Sequence, residues 1–115
     1  MSITTHILDL AAGRPAAGVA IRLVGPGDIL RTGVTDHDGR CRTLLAPGEL
    51  IPGDWRLEFD IGAYRRATGG RTDGAEECEP FYPRALVEFT VRDAAQHHHI
   101  PLLLSPYGYS TYRGS

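Results

Sequence analysis

Apolar and polar residues alternate at a period of two along most of this chain, and Gly or Pro interrupts the pattern every few residues. Fourteen Gly and eight Pro stand among 115 residues, a density that suits short strands joined by tight turns and leaves little room for long helices. The cleanest example is Trp55, Leu57, Phe59 and Ile61 alternating with Arg56, Glu58 and Asp60, which reads as one half-buried strand. Val19, Ile21 and Leu23 share one strand face in the same way, as do Val87, Phe89 and Val91.

The punctuation sets the remaining elements. A first strand is expected over residues 3–9, ended by the Ala11-Ala12-Gly13-Arg14-Pro15 bend. Gly25-Pro26-Gly27-Asp28 reads as a hairpin turn with a return strand over 29–35. Asp36-His37-Asp38-Gly39 is a second turn, with Gly39 suited to a positive φ and Arg40 at its exit, followed by a short strand over 41–45. Residues 62–79 are read as a Gly-rich loop, mobile around 69–74, with one possible helical turn at 75–78. Strands resume at 87–91, 97–105 and 109–115. Seven or eight short strands at hairpin spacing predict an all-β fold: a two-sheet antiparallel β-sandwich with at most one short helix.

Composition excludes several functions. Twelve basic against 14 acidic residues give a net charge of −2, which supplies no electrostatic footprint for nucleic acid. Apolar residues at 42% and charged residues at 23% match a soluble globular domain. The length fits one domain over residues 1–115. No apolar run approaches the ~18 residues of a membrane span, and Met1 to His6 carries no export signal, so a cytoplasmic protein is expected. Cys41 and Cys78 are then read as free thiols. His37 lies near Cys41, but the strand-to-helix elbow of a nucleophile is missing, so a catalytic thiol is set aside. A chain this short buries only about two-thirds of its unfolded surface, which makes oligomerisation a natural source of stability.

The segment around His97-His98-His99 is the most informative. Ile100, Leu102 and Leu104 share a face with His98, while His99, Pro101 and Leu103 share the other with His97. Both faces carry apolar groups, so the second is expected to be covered by another subunit. Tyr107, Tyr109 and Tyr112 then crowd into one short tail, which suits an interface or a wet pocket better than three ordinary sheet positions.

These residues resemble a known family. Thr5-His6-Ile7-Leu8-Asp9, Asp38-Gly39-Arg40, Pro80-Phe81-Tyr82-Pro83, and above all the run from His97-His98-His99-Ile100-Pro101 to Tyr112-Arg113-Gly114-Ser115 are similar to the 5-hydroxyisourate hydrolases, the transthyretin-related enzymes of purine breakdown. The closing Tyr-Arg-Gly-Ser is the most specific element, because hormone-carrying transthyretins lack it. The resemblance implies a transthyretin-like sandwich assembled as a homotetramer, a dimer of dimers, with active sites in the channel between dimers. It implies hydrolytic opening of the six-membered ring of 5-hydroxyisourate to 2-oxo-4-hydroxy-4-carboxy-5-ureidoimidazoline, without metal or organic cofactor. It places His6, Arg40, His99 and Ser115 in the catalytic set, and His6, Arg40 and Tyr112 in substrate binding. Two departures stand out: His98 occupies a position where Tyr is common, and the 62–79 connection is long.

The chemistry agrees with the residue types. Opening a lactam requires a base for water, a cation or donor for the developing oxyanion, and an acid for the leaving nitrogen. His6 and His99 titrate near working pH, and Arg40 offers a permanent planar fork. Alone, each has a plainer reading: a hydrogen-bonded strand histidine, and a solvated arginine after a turn. His37, in that turn, is assigned to solvent. His97, His99 and His6 could chelate zinc, but no carboxylate or thiol stands at ligand spacing, and no metal is expected. The competing functions are a transthyretin-like carrier that binds a small ligand without turnover, and a purely structural sandwich. A passive carrier has no need of two imidazoles, a guanidinium and a fixed polar tail.

Overall fold

The structure, a computed structural model, describes residues 2–68 and 80–115. In chain order the elements are β1 (Ile3–Asp9), β2 (Arg14–Pro15), β3 (Ala20–Gly25), β4 (Ile29–Val34), β5 (Arg40–Cys41), β6 (Gly53–Phe59), α1 (Ile61–Ala67), β7 (Ala85–Val91), β8 (His98–Ser105) and β9 (Gly108–Thr111). One sheet runs β2-β1-β8-β9, with β5 also paired to β1; the second runs β4-β3-β6-β7.

The inner faces close on a core of Ile3 and Ile7 from β1, Ile21 and Leu23 from β3, Trp55, Leu57 and Phe59 from β6, and Leu102 and Leu104 from β8. These are the alternating positions of the sequence, and each such side chain removed from water contributes about 1.5–3 kcal/mol. Trp55 keeps its indole N–H satisfied by donating to the Ile51 carbonyl at 3.0 Å.

Three expectations need correction. The pairing is not antiparallel throughout: β1 and β8 run parallel, with Thr4 opposite His99 and His6 opposite Pro101. A parallel pair needs a long crossover, and here the second sheet and α1 lie in the connection. The strand expected to reach Ile61 stops at Phe59, because the Asp60 carboxylate accepts the Ala63 N–H at 3.2 Å and caps α1 instead. Ile61, read as strand, and residues 62–67, read as loop, are therefore helical, and Ile61, Tyr64 and Arg65 on the inner side of α1 are buried. The strand expected over 41–45 shrinks to Arg40–Cys41. The mobile stretch expected at 69–74, the helical turn at 75–78 and Cys78 lie outside the described residues.

Helix α1 is tied to β1 by a buried polar contact. Tyr64 donates its hydroxyl to Asp9 Oδ2 at 2.7 Å, while Asp9 Oδ1 accepts the backbone N–H groups of Ala11 and Ala12. Burial and the Asp9 contact push the Tyr64 hydroxyl up to about 12. Cys41 faces the core as a free thiol, pushed up by burial, an inert environment for a nucleophile.

Candidate active site

The parallel register of β1 and β8 builds the site. Thr4 and His6 point to the outer face of the five-stranded sheet, since their neighbours Ile3, Thr5 and Ile7 are fully buried on the inner one. His99 lies opposite Thr4 on that outer face, and Arg40 lies opposite His6 across the antiparallel β1–β5 pair. Two histidines and an arginine from three strands thus meet on one surface.

A tight turn aims Arg40. The Asp36 side chain accepts backbone N–H groups from Asp38 at 2.9 Å and from Arg40 at 3.0 Å, and the Asp36 N–H donates to the Arg40 carbonyl at 2.9 Å. These hydrogen bonds hold the Asp36 carboxyl below its ordinary value. Gly39 closes the turn at φ +75°, where its carbonyl accepts the Ile7 N–H, and a Cβ would stand 2.5 Å from the Ile7 carbonyl oxygen. Only Gly meets both conditions. Among the described residues no carboxylate forms an ion pair with the Arg40 guanidinium, whereas Arg42 reaches Asp36 at 3.9 Å.

His99 is held from two sides. Its Nδ1 lies 2.8 Å from Thr4 Oγ1, and the same hydroxyl lies 2.9 Å from Nε2 of His97. The two rings stack 6.4 Å apart. On the other side the chain after β9 returns to form a single antiparallel bridge, in which Gly114 donates its N–H to the His99 carbonyl at 2.8 Å. Arg113 anchors this tail to the Gln96 side chain and the His97 carbonyl.

Thr4, Arg40, Arg42, His97, His99 and Ser115 line a cleft of about 310 Å³ on this surface, with Thr5 at its floor. Its charge is one-sided. Burial, and next the Arg40 charge, hold His6 below its ordinary value of 6.5, against a hydrogen bond to the Asp38 backbone. His99 is lowered by burial first, then by Arg40, His6 and His97. Both shifts favour the neutral imidazole, which has a lone pair for a proton, beside a fixed cation.

Of the residues singled out by sequence, Arg40, His99 and Ser115 line the cleft directly, and His6 stands beside Arg40 at its margin. Tyr112 does not join them: it is exposed and borders a second cavity of about 240 Å³, with Val87, Phe89, His98 and Ile100 on its walls. His98, turned inward as its parity required, lies there with Nδ1 unpartnered among the described residues. His37 is exposed on its turn, in a loose group with Asp36 and Asp38. Thr4 and Arg42 were missed. The alternation of β1 already put Thr4 on the His6 face, but a single threonine in a strand carries no chemical signal of its own.

A family model described as HIUase/Transthyretin family matches residues 3–114. The chain belongs to that family. Its 5-hydroxyisourate hydrolase relative from Caulobacter vibrioides is 48% identical, with 98% of this chain and 97% of the relative covered. The one from Mus musculus is 44% identical, covering 98% and 94%. Among solved structures, Klebsiella pneumoniae 5-hydroxyisourate hydrolase superposes with a TM-score of 0.82 at 38% identity over 100% of both chains. Sea bream transthyretin in complex with thyroxine gives 0.82 at 32% identity, covering 97% and 93%. The HIUase/Transthyretin sandwich therefore accommodates both a hydrolase and a thyroxine-binding protein, and the polar cleft around Arg40 and His99 is what bears on the choice here.

Proposed function

We infer that this protein is a 5-hydroxyisourate hydrolase, opening the six-membered ring of 5-hydroxyisourate to 2-oxo-4-hydroxy-4-carboxy-5-ureidoimidazoline in urate degradation. The observation that carries the reading is the meeting of Arg40 and His99 in one cleft with His6 at its edge, both imidazoles lowered first by burial and next by the same guanidinium. The full-length relatives that carry this name support it. A channel built only to carry an apolar ligand gains nothing from an arginine that has no carboxylate partner among the described residues and stands near two histidines.

The chemistry follows from the groups. A neutral imidazole takes a proton from water as its oxygen attacks the ring carbonyl. Arg40 binds the oxygen on which charge develops, a contact whose loss typically reduces the rate on the order of a hundredfold or more. Protonation of the ring nitrogen completes C–N cleavage. Ser115, from the returned tail, lines the cleft, while Tyr112 borders the neighbouring cavity and is left out of the substrate contacts. The reading includes a cytoplasmic homotetramer, a dimer of dimers in which a second copy covers the outer face bearing Leu8, Pro101 and Leu103. The partly exposed Leu8 and Leu103 on that face support such a cover.

The test uses 5-hydroxyisourate generated in situ by urate oxidase and followed by its ultraviolet decay. The protein is expected to accelerate the decay, and His99→Ala to abolish the acceleration. A decay rate that the wild-type protein leaves unchanged overturns the reading. Deleting residues 112–115 is expected to remove turnover while the sandwich persists.

A further inference from the structure

The Thr4 hydroxyl stands between two imidazoles, and a hydroxyl has one hydrogen. It lies 2.9 Å from Nε2 of His97 and 2.8 Å from Nδ1 of His99, so the two nitrogens cannot both accept from it; one of them must carry hydrogen and donate to the oxygen. The tautomers of the two rings are coupled. When Thr4 donates to His97, His99 bears its hydrogen on Nδ1 and presents a bare Nε2, the form of a base. When Thr4 donates to His99, the Nε2 of His99 bears the hydrogen, the form of an acid. His97 is in turn met at Nδ1 by the Ser2 hydroxyl at 3.2 Å.

We propose, resting on the hydrolase reading above, that Thr4 is a positioning residue that carries a proton between His99 and His97 and so lets His99 serve first as base and then as acid. As water adds to the ring carbonyl, a new C–O bond forms and the carbonyl π pair moves to oxygen. The water proton goes to Nε2 of His99. The Nδ1 proton of His99 passes to Thr4 Oγ1, and the Thr4 proton passes to Nε2 of His97. His99 is then neutral with hydrogen on Nε2, and His97 is the cation. On collapse the C–N pair leaves with nitrogen, which takes the His99 Nε2 proton, and the His97 Nε2 proton returns through Thr4 to His99 Nδ1. No proton is gained or lost over the cycle beyond the water added.

The register supplies the reason for moving the charge. Arg40 and His6 face each other at one rung of β1, Thr4 and His99 occupy the next rung of that face, and His97 lies beyond them, away from Arg40. The burial of His99, and next the cation of Arg40, oppose a lasting charge on His99. Passing the proton one ring further, to the exposed His97, relieves that repulsion and places the charge where water solvates it. The buried position of Thr4, 8% exposed, keeps water from replacing its hydroxyl.

The experiment compares Thr4→Val, which keeps shape and loses the hydroxyl, with Thr4→Ser, which keeps the hydroxyl, and with His97→Gln. Two readouts are taken: kinetics on 5-hydroxyisourate formed in situ, and the ¹⁵N shifts of the His99 ring in labelled protein without substrate. Thr4→Val and His97→Gln are expected to lower kcat about 10- to 100-fold with KM within about threefold, a loss at the low end for general acid–base function. Thr4→Ser is expected to stay within about threefold of wild type, and Thr4→Val to change the His99 tautomer ratio. Wild-type kcat in Thr4→Val, equal damage in Thr4→Ser and Thr4→Val, or an unchanged His99 tautomer each overturns the relay. Should Thr4→Val not fold, His97→Gln decides both arms, since loss of the His97 ring must also change the His99 tautomer ratio if Thr4 couples the two. Absence of turnover in the wild type instead sinks the hydrolase reading, and the ¹⁵N shifts still judge the coupling.

Discussion

Gly114 lies so close to His99 that a Cβ on it would stand 2.6 Å from Cδ2 and 3.3 Å from Cγ of the imidazole. The returned tail packs backbone directly on the ring, and only a residue without a side chain permits that approach. Gly114→Ala is expected to tilt His99 away from Thr4 or lift the tail, lowering kcat/KM about tenfold or more, because small misplacements of a reacting group are expensive. The far-ultraviolet circular dichroism spectrum should remain that of the wild type. Undiminished kcat/KM in this variant shows that the ring has freedom the packing denies.

Arg40 has no carboxylate partner among the described residues, so its charge is available to substrate. Arg40→Met is expected to lower kcat/KM on the order of a hundredfold or more. Arg40→Lys should recover only part of it, since an ammonium cannot present the planar fork. Steady-state kinetics of the two variants side by side check this, and full recovery by Lys refutes the need for a fork.

The pH dependence follows from His6 and His99, both held below their ordinary value of 6.5 by burial and Arg40. The base must be neutral, so kcat/KM should rise with pH through a limb lying below 6.5 and be flat at neutral pH. Arg40→Met removes the repulsion and should move the limb upward. A wild-type limb above 6.5 contradicts the assignment.

Stability should show the same sign. His6, His98 and His99 are all depressed in the folded protein, burial being the first cause at each. Below 6.5 the unfolded chain binds protons that the folded chain refuses, so stability falls as pH drops toward the folded values. The thermal midpoint is therefore expected to decline between pH 7 and 5, and His98→Phe, which removes the most buried of the three, should flatten the decline. An equal slope in that variant removes His98 from the account.

Tyr64 and Asp9 provide a test remote from the cleft. Tyr64→Phe leaves the buried Asp9 Oδ2 without its 2.7 Å donor, a loss of about 1–3 kcal/mol, or several degrees in thermal midpoint for a domain of this size. Turnover per folded molecule should hold near the wild-type value. A matching collapse of kcat would instead tie α1 to the chemistry.

What the amino-acid order revealed, and what it hid, both have physical causes. Strands with a solvated face announced themselves through alternation, as at Trp55, Leu57 and Phe59, and the inward turn of His98 followed from parity alone. Helix α1 was invisible because seven residues give too few turns for a helical period, and Asp60 reads equally well as a strand residue or a cap. The parallel pairing of β1 with β8 was equally hidden, since alternation is blind to strand direction. That pairing is what places Thr4 against His99 and brings His97 into the same network, so the residue types were legible while their hydrogen bonds were not. Tyr112, grouped with the tail by motif, borders the other cavity beside Val87 and His98, a placement that depends on how the tail packs rather than on its residue types.

The β1–β8 pair joins residues as far as 95 positions apart, through contacts such as Thr4 to His99. A nascent polypeptide emerging from the ribosome can therefore assemble most of the second sheet while its future reaction centre is still half missing. Catalytic competence therefore waits on residues 97–115, and closure of so long a loop is expected to make that pairing a slow step for a protein this small.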